Sequence, residues 1–328
     1  MNVRTPDISD ERPATWYTAA RAKIDFLKSS SLGLTLADKS WDDGFTRSIS
    51  LDYNMSLAKT WQLTGQFVGS APGDFWSHSA WYLRFARENN IWHYHVRYSQ
   101  IGEEFRETVN QTGFVTDDDR REIDSDITYK WWLKNNTFEF IDFQSMNNIF
   151  WSLEGTLRSW YFTDAVNFYF KNNLNFEYAY NDEYKLYEKD FHNHRHSFAV
   201  GYNTEQWTYG LINLTKGRNF DRDFKLFTGE ARFKLFQNLS VTYSANVLNF
   251  TPDPNENSTF INIVTASYNF NPDLWLKLFA QNSTQNGNIY FYSLFGWRFK
   301  PPFGALYLIY SHDEYQLEQD YRKLTIFL

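Results

Sequence analysis

Residues 227–246 read FTGEARFKLFQNLSVTYSAN, two runs of strict alternation with almost nothing between them. Phe227, Gly229, Ala231, Phe233 and Leu235 share one face of a strand, and Thr228, Glu230, Arg232 and Lys234 take the other. Leu239, Val241, Tyr243, Ala245 and Val247 then oppose Ser240, Thr242, Ser244 and Asn246. Only Gln237 and Asn238 separate the runs, which reads as a tight hairpin. A soluble sheet can show this pattern on one hairpin, with its apolar face on a core and its polar face in water. A transmembrane barrel must repeat it along the whole chain, in strands of about ten residues.

The chain does repeat it. Ala20, Ala22, Ile24 and Phe26 alternate with Ala19, Arg21, Lys23 and Asp25, and a turn at Leu27 to Ser30 leads to Leu32, Leu34 and Leu36. A polar loop at Asp38 to Asp43 precedes Ile49, Leu51 and Tyr53, and a turn near Ala58 precedes Trp61, Leu63, Gly65 and Phe67. After a loop at Gly69 to Ser77, Trp81, Leu83 and Phe85 turn at Glu88 to Asn90 into Trp92, Tyr94, Val96 and Tyr98. The segment from Ile101 to Ile123 is the longest irregular one, and loops of that length are functional or mobile. Ile127, Tyr129 and Trp131 resume, the pattern blurs near Asn147, and it returns at Val166, Phe168 and Phe170.

Further short turns fall at Lys134 to Asn136, Lys171 to Asn173, Asn203 to Glu205, Asn271 to Asp273 and Lys300 to Gly304. Longer connections lie between them, as at Thr251 to Ser258 and Ser311 to Gln319. Short turns at one end and long loops at the other are the arrangement of an outer-membrane barrel. The expected fold is therefore all-β: an antiparallel up-and-down transmembrane β-barrel of about 18–20 strands, a single domain over 1–328. Counting runs gives about nineteen strands, against the even number usual for single-chain bacterial barrels. The reading is thus a fragment cut at both ends, with Met1 to Thr5 as the top of a truncated strand, Pro6 to Ala14 as its outer loop, and Tyr321 to Leu328 too short to cross.

Composition agrees. Aromatics make up 20% of the 328 residues, which favours strands over disorder. Mean hydropathy is −0.58, too low for helical spans, but a barrel whose inner half is polar escapes that test. There is no cysteine, which allows an oxidising envelope compartment without establishing one. The net charge of −7, with scattered Lys and Arg, argues against nucleic acid as a partner. Met1 to Thr5 has no apolar segment of signal-peptide type.

Ile101-Gly102, Phe105, Gly113-Phe114-Val115 and Asp117-Asp118-Asp119, together with Leu294-Phe295-Gly296-Trp297-Arg298-Phe299-Lys300-Pro301-Pro302-Phe303-Gly304, carry a resemblance. The chain resembles Gram-negative envelope proteins in which a periplasmic carbohydrate-binding family-9-like domain precedes a C-terminal outer-membrane barrel of uncharacterised function. That domain and a signal peptide are missing here, and Leu328 stands where barrel assembly machinery usually reads an aromatic residue. The resemblance implies an outer-membrane address and glycan-linked work, and it hands over no catalytic residues.

Candidate functional residues fall into three groups. Arg21, Lys23, Arg84, His93, His95, Arg97, Lys130, Glu177, Glu230, Arg232 and Lys234 are expected to line a lumen, where rings of charge would set what passes. His192, His194 and His196, at alternate positions of one strand face, have a spacing at which imidazoles could share a metal. That face continues with Phe198, Val200 and Tyr202, so the ordinary reading is a rim above lipid. Asp117, Asp118 and Asp119 could seed a calcium site, and three acids on a loop are more often just solvated. No cofactor is expected. The partners expected are outer-membrane lipid, barrel assembly machinery and oligosaccharide. The functional expectation is a pore, transport or anchoring barrel, with an outer-membrane hydrolase or a closed glycan receptor as alternatives. No motif marks a nucleophile.

Overall fold

The computed structural model describes residues 2–5, 14–252, 258–284, 287–302, 304–314 and 320–327. The expected outer loop at Pro6 to Ala14 lies outside them but for Ala14, as do parts of the connections at Thr251 to Ser258, Ser311 to Gln319 and Lys300 to Gly304, and Leu328.

The fold is all-β. The strands are β1 (Asn2–Thr5), β2 (Thr15–Phe26), β3 (Ser30–Trp41), β4 (Gly44–Ala58), β5 (Trp61–Ala71), β6 (Ser79–Glu88), β7 (Trp92–Ile101), β8 (Arg120–Trp132), β9 (Phe138–Trp151) and β10 (Leu157–Phe170). They continue as β11 (Leu174–Leu186), β12 (Asp190–Tyr202), β13 (Tyr209–Asn219), β14 (Arg222–Phe236), β15 (Leu239–Thr251), β16 (Thr259–Asn271), β17 (Leu274–Ser283), β18 (Ile289–Lys300), β19 (Gly304–Glu314) and β20 (Asp320–Phe327). One short helix, α1 (Phe105–Val109), interrupts the series. All twenty strands belong to one up-and-down antiparallel sheet, the strand order of a β-barrel. No pairing among the described residues closes it on itself. No helix is long and apolar enough to cross a membrane.

The chain divides into two compact units. One comprises Met1–Trp131, Asp142–Asp164 and Asp182–Phe191, and the other Trp132–Ile141, Ala165–Asn181 and His192–Leu328. In the second unit the hairpin of β14 and β15 has the expected faces. Phe227, Gly229, Ala231 and Phe233 stand opposite Val247, Ala245, Tyr243 and Val241, and Thr228, Glu230, Arg232 and Lys234 opposite Asn246, Ser244, Thr242 and Ser240. A bulge then shifts the register before Phe236 meets Leu239. In the first unit Ile24, Leu32 and Tyr53 form one apolar row, and Ala22, Leu34, Leu51 and Phe67 the next.

Burial shows which face is crowded. Leu34, Ile49, Leu51, Phe198, Leu214 and Phe233 are exposed, while Thr228, Glu230 and Arg232 are half-buried. A water-soluble sheet buries its apolar face, and this inversion is compatible with a lipid-facing sheet. Aromatic groups cluster near the strand ends, at the loop side (Phe75 with Trp76, Phe224 with Phe250) and at the short-turn side. In the first unit the Trp61 and Phe85 rings stack at 4.9 Å, with Arg87 over Trp61, and Tyr129 touches both Trp92 and Trp131. In the second, Trp275 meets Tyr307 at 6.0 Å beneath Arg298.

Three expectations need correction. The segment from Ile101 to Ile123 is not irregular throughout: β8 begins at Arg120, and α1 lies inside the remainder. The end expected to carry long loops also carries tight turns, because β3 continues to Trp41 and leaves only Asp42 and Asp43 before β4, while Phe220 and Asp221 alone join β13 to β14. Phe220 makes that turn at φ 53°, held by its N–H donating to Asn193 Oδ1 at 2.6 Å. Finally, β9 runs unbroken through Asn147. The alternation fails there because polar Asn147 and Ser145 stand on the otherwise apolar side, where Asn147 donates to both Ser145 and Ser125, the partner of Val96.

Candidate functional site: a charged wall and an inward loop

Strands β6, β7 and β8 bring charge into transverse rows on their polar face. Arg84 stands opposite Arg97, which stands opposite Asp124. The next rows are Ala86, His95 and Asp126, then Glu88, His93 and Thr128. Two arginines directly opposite each other repel, and the acids of β8 offset them. Arg97 pairs with Asp124 and lies 3.8 Å from Glu122, which Arg120 also holds at 2.8 Å. His95 Nε2 is 3.4 Å from Asp124 Oδ1, His93 Nδ1 is 2.5 Å from Glu88 Oε2, and the two imidazoles approach to 3.3 Å. From β9, Gln144 donates to Asp126 at 3.3 Å and Asn148 donates to Glu122. The Glu122 and Asp124 side chains are only 10% and 15% exposed, so this wall is crowded enough to bury its acids against their cations.

The acids of this wall were not among the expected site residues. Glu122, Asp124 and Asp126 alternate with Ile123, Ser125 and Ile127, a strand signal whose first members, Glu122 and Ile123, fall inside the expected loop. Reading β8 from Arg120 recovers them.

The wall extends to the loop end through the three aspartates. Asp119 pairs with Arg158 and accepts the Leu153 N–H at 2.9 Å, Asp118 accepts the Arg106 N–H at 3.2 Å, and Asp117 lies 4.0 Å from Arg120 and Arg158. These carboxylates are thus engaged with arginines and backbone donors. Among the described residues no three His, Asp or Glu side chains gather closely enough to share a metal ion.

The long loop folds back over the polar face. Phe105 and Val109 of α1 are buried, and the helix packs against β4 and β5. Its polar neighbours fix the side on which it lies: Thr108 bonds Ser70, Thr112 bonds Ser48 at 3.2 Å, and Lys39 donates to Gln111 at 2.7 Å. Ser48 and Ser70 are register partners on the polar face. Gly102 hinges the loop. Its N–H reaches Ser79 O at 2.8 Å, and a Cβ there would lie 2.2 Å from the Ser77 carbonyl oxygen. Beside it, Pro72 to His78 presents Phe75 and Trp76, exposed by 54% and 70%, with rings edge to face at 5.0 Å.

The remaining expected residues are spread along the strands. Arg21 bonds Thr35 at 2.6 Å and Asp52 at 2.9 Å, and Lys23 lies 3.3 Å from Asp25. Lys130 shares the side of Asp126 and Thr128, and Glu177 alternates with Phe176 and Tyr178 of the apolar face. In the second unit Glu230 accepts from the Tyr209 hydroxyl, Arg232 donates to Thr242 at 3.0 Å, and Lys234 lies 5.7 Å from the Trp207 ring centre. His192, His194 and His196 share the apolar face with Phe198, and His196 Nδ1 is 2.9 Å from the Tyr178 hydroxyl. No family model matches the chain, and no curated protein matches it.

Proposed function

We propose that the chain is an outer-membrane β-barrel whose apolar face meets lipid and whose polar face surrounds a water-filled pore, narrowed by the inward loop that carries α1. The observation that carries this reading is the charged wall. Arg84, Arg97, His93, His95, Glu122, Asp124 and Asp126 share the side over which α1 folds, and that many ionisable groups require water or each other. Strands of 10 to 15 residues from β4 to β18 fit a tilted crossing of about 30 Å of hydrocarbon. Such a pore would pass small polar or charged solutes, with acids and bases side by side rather than one sign dominating. Barrel assembly machinery and outer-membrane lipid are the partners this reading implies.

Planar-bilayer recording of the purified chain tests it. Stepwise conductance is expected, and a folded, inserted protein that conducts nothing would remove the pore. A closed glycan receptor is the second reading, favoured by the exposed Phe75 and Trp76 pair, whose faces suit sugar stacking. Oligosaccharide binding without conductance would select it.

A further inference from the structure

On the apolar face of β12 to β15 the pattern breaks toward the loop end, and the innermost polar row is cationic. His196, Lys216, Lys225 and Asn249 are successive register partners across four strands. Lys216 and Lys225 are both exposed and directly opposite each other, and neither has an ion-pair partner among the described residues. Like charges so placed destabilise a sheet, and a lysine on a lipid-facing strand costs more still unless it reaches the interface. The row above holds His194, Arg218 and Asp223, where Arg218 spends part of its charge on Asp223 at 3.8 Å.

Below the lysines the surface becomes wholly apolar. Phe198, Leu214, Phe227 and Val247 form the next row, then Val200, Ile212, Gly229 and Ala245. The lysine row and the first apolar row line a surface groove of about 240 Å³. At the Phe227 ring it meets a second hollow of about 540 Å³, floored by Gly229, Ala231 and Ala245. Small residues keep this hollow open, and a Cβ at Gly210 would meet nothing within 4 Å. A cationic row at the loop end of the sheet, above a continuous apolar trough, matches a molecule with an anionic head and hydrocarbon tails lying along the strands.

We propose that this row binds a phosphorylated, acylated membrane lipid: Lys216 and Lys225 hold a phosphate between them, His196 and Asn249 flank it, and an acyl chain follows the trough past Phe227 toward Gly229. The phosphate cancels the repulsion between the two ammonium groups, and the dry surroundings strengthen the charge-assisted bonds. The proposal rests on the lipid-facing assignment of this sheet face. It adds a specific lipid and a specific place.

The test uses the full chain inserted in phosphatidylcholine nanodiscs, with insertion read separately from quenching of tryptophan fluorescence by brominated phosphatidylcholine. Bound lipid is then counted by native mass spectrometry after addition of lipid A with both phosphates, or of the same lipid dephosphorylated. The inserted wild type is expected to retain the phosphorylated lipid at least about tenfold better, the scale of one charge-assisted hydrogen bond. The Lys216→Gln/Lys225→Gln double variant should lose that preference, and Lys277→Gln on the polar face should keep it. Equal retention by wild type and double variant would overturn the site, as would indifference to the phosphates. Complete displacement by inorganic phosphate would overturn the lipid as occupant. Absence of quenching would sink the membrane reading itself, a failure distinguishable from the other three.

Discussion

Arg21 reaches across an intervening glycine to pair with Asp52 at 2.9 Å, two strands away on the polar face. Gly33 makes the crossing possible, since a Cβ there would lie 2.6 Å from both Asp52 carboxylate oxygens and 2.8 Å from an Arg21 guanidinium nitrogen. The clash is with the ends of flexible side chains, so Gly33→Val should part the ion pair and leave the sheet intact. The Arg21 side chain is 51% exposed, which limits the loss to below about 1 kcal/mol. Urea unfolding of the refolded protein checks this, and a loss of several kcal/mol would mean that the backbone depends on the pair.

Gly102 has no such escape, because its forbidden Cβ meets the backbone at Ser77 and Trp76. Gly102→Ala should separate the two neighbouring loops, undock α1 and leave the strands folded. Phe105→Ala should act at the same place by emptying the pocket under the helix, weakening docking by about 3 kcal/mol. Limited proteolysis of both variants should cut within 103–118 while the wild type resists. A protected loop in both variants would show that α1 does not depend on these contacts.

The faces of the sheet were legible because a period of two is insensitive to context: Phe227 to Val247 could be assigned from spelling alone, and the register agrees row by row. What stayed illegible depended on distance in the chain. The fold-back of α1 is written in Thr108 meeting Ser70 and Gln111 meeting Lys39, partners 38 and 72 residues apart that no local pattern links. The charged wall was half visible. His93, His95 and Arg97 show on a clean strand, but their acids follow a loop that ends at Asp119, four residues before the expected Ile123, and strand boundaries are where sequence patterns are weakest.

Acid should loosen the connection between β5 and β6. The Asp74 carboxylate accepts the Trp76 and Ser77 N–H groups at 3.0 and 3.2 Å, and these donors, Ser77 foremost, hold its pKa below the ordinary value. A depressed carboxyl stabilises the folded loop above the unfolded pKa, and that contribution disappears as pH falls through the lowered folded one. Amide exchange at Trp76 and Ser77, corrected for intrinsic rates, should therefore stay slow at neutral pH and quicken only below about pH 3.9, the usual Asp value. Asp74→Asn should remove the pH dependence, and an identical profile in that variant would assign the change to another group.

The two faces of β15 make opposite predictions for the same residue. Ala245→Arg places a guanidinium at the middle of β15, opposite Gly229 on the apolar side, and should cost about 2 to 4 kcal/mol in a bilayer. Ser244→Arg, opposite Glu230 on the polar side, gains an acidic neighbour and should fold as well as wild type. Heat-modifiable gel migration after refolding into vesicles reads both, and equal loss would contradict the assignment of faces.

In the pore reading, the wall of β7 and β8 decides selectivity by local neutralisation. Arg97 neutralises Asp124 and stands near Glu122, and both acids are mostly covered, so a permeating ion meets a compensated surface. Arg97→Gln removes the shared cation, leaving Glu122 with Arg120 and Asp124 with only the His95 imidazole beside it. Cation permeability should rise, read as a shift of reversal potential under a potassium chloride gradient. Asp124→Asn does the reverse, leaving Arg97 beside Arg84 with less acid, and anions should gain. Stability should fall by about 1 to 2 kcal/mol in the first variant, less than for a fully buried pair because Arg97 is 40% exposed. Opposite shifts from two residues in direct contact require that ions pass close to them. Unchanged selectivity in both folded variants would place the permeation path elsewhere and leave the wall a purely structural network.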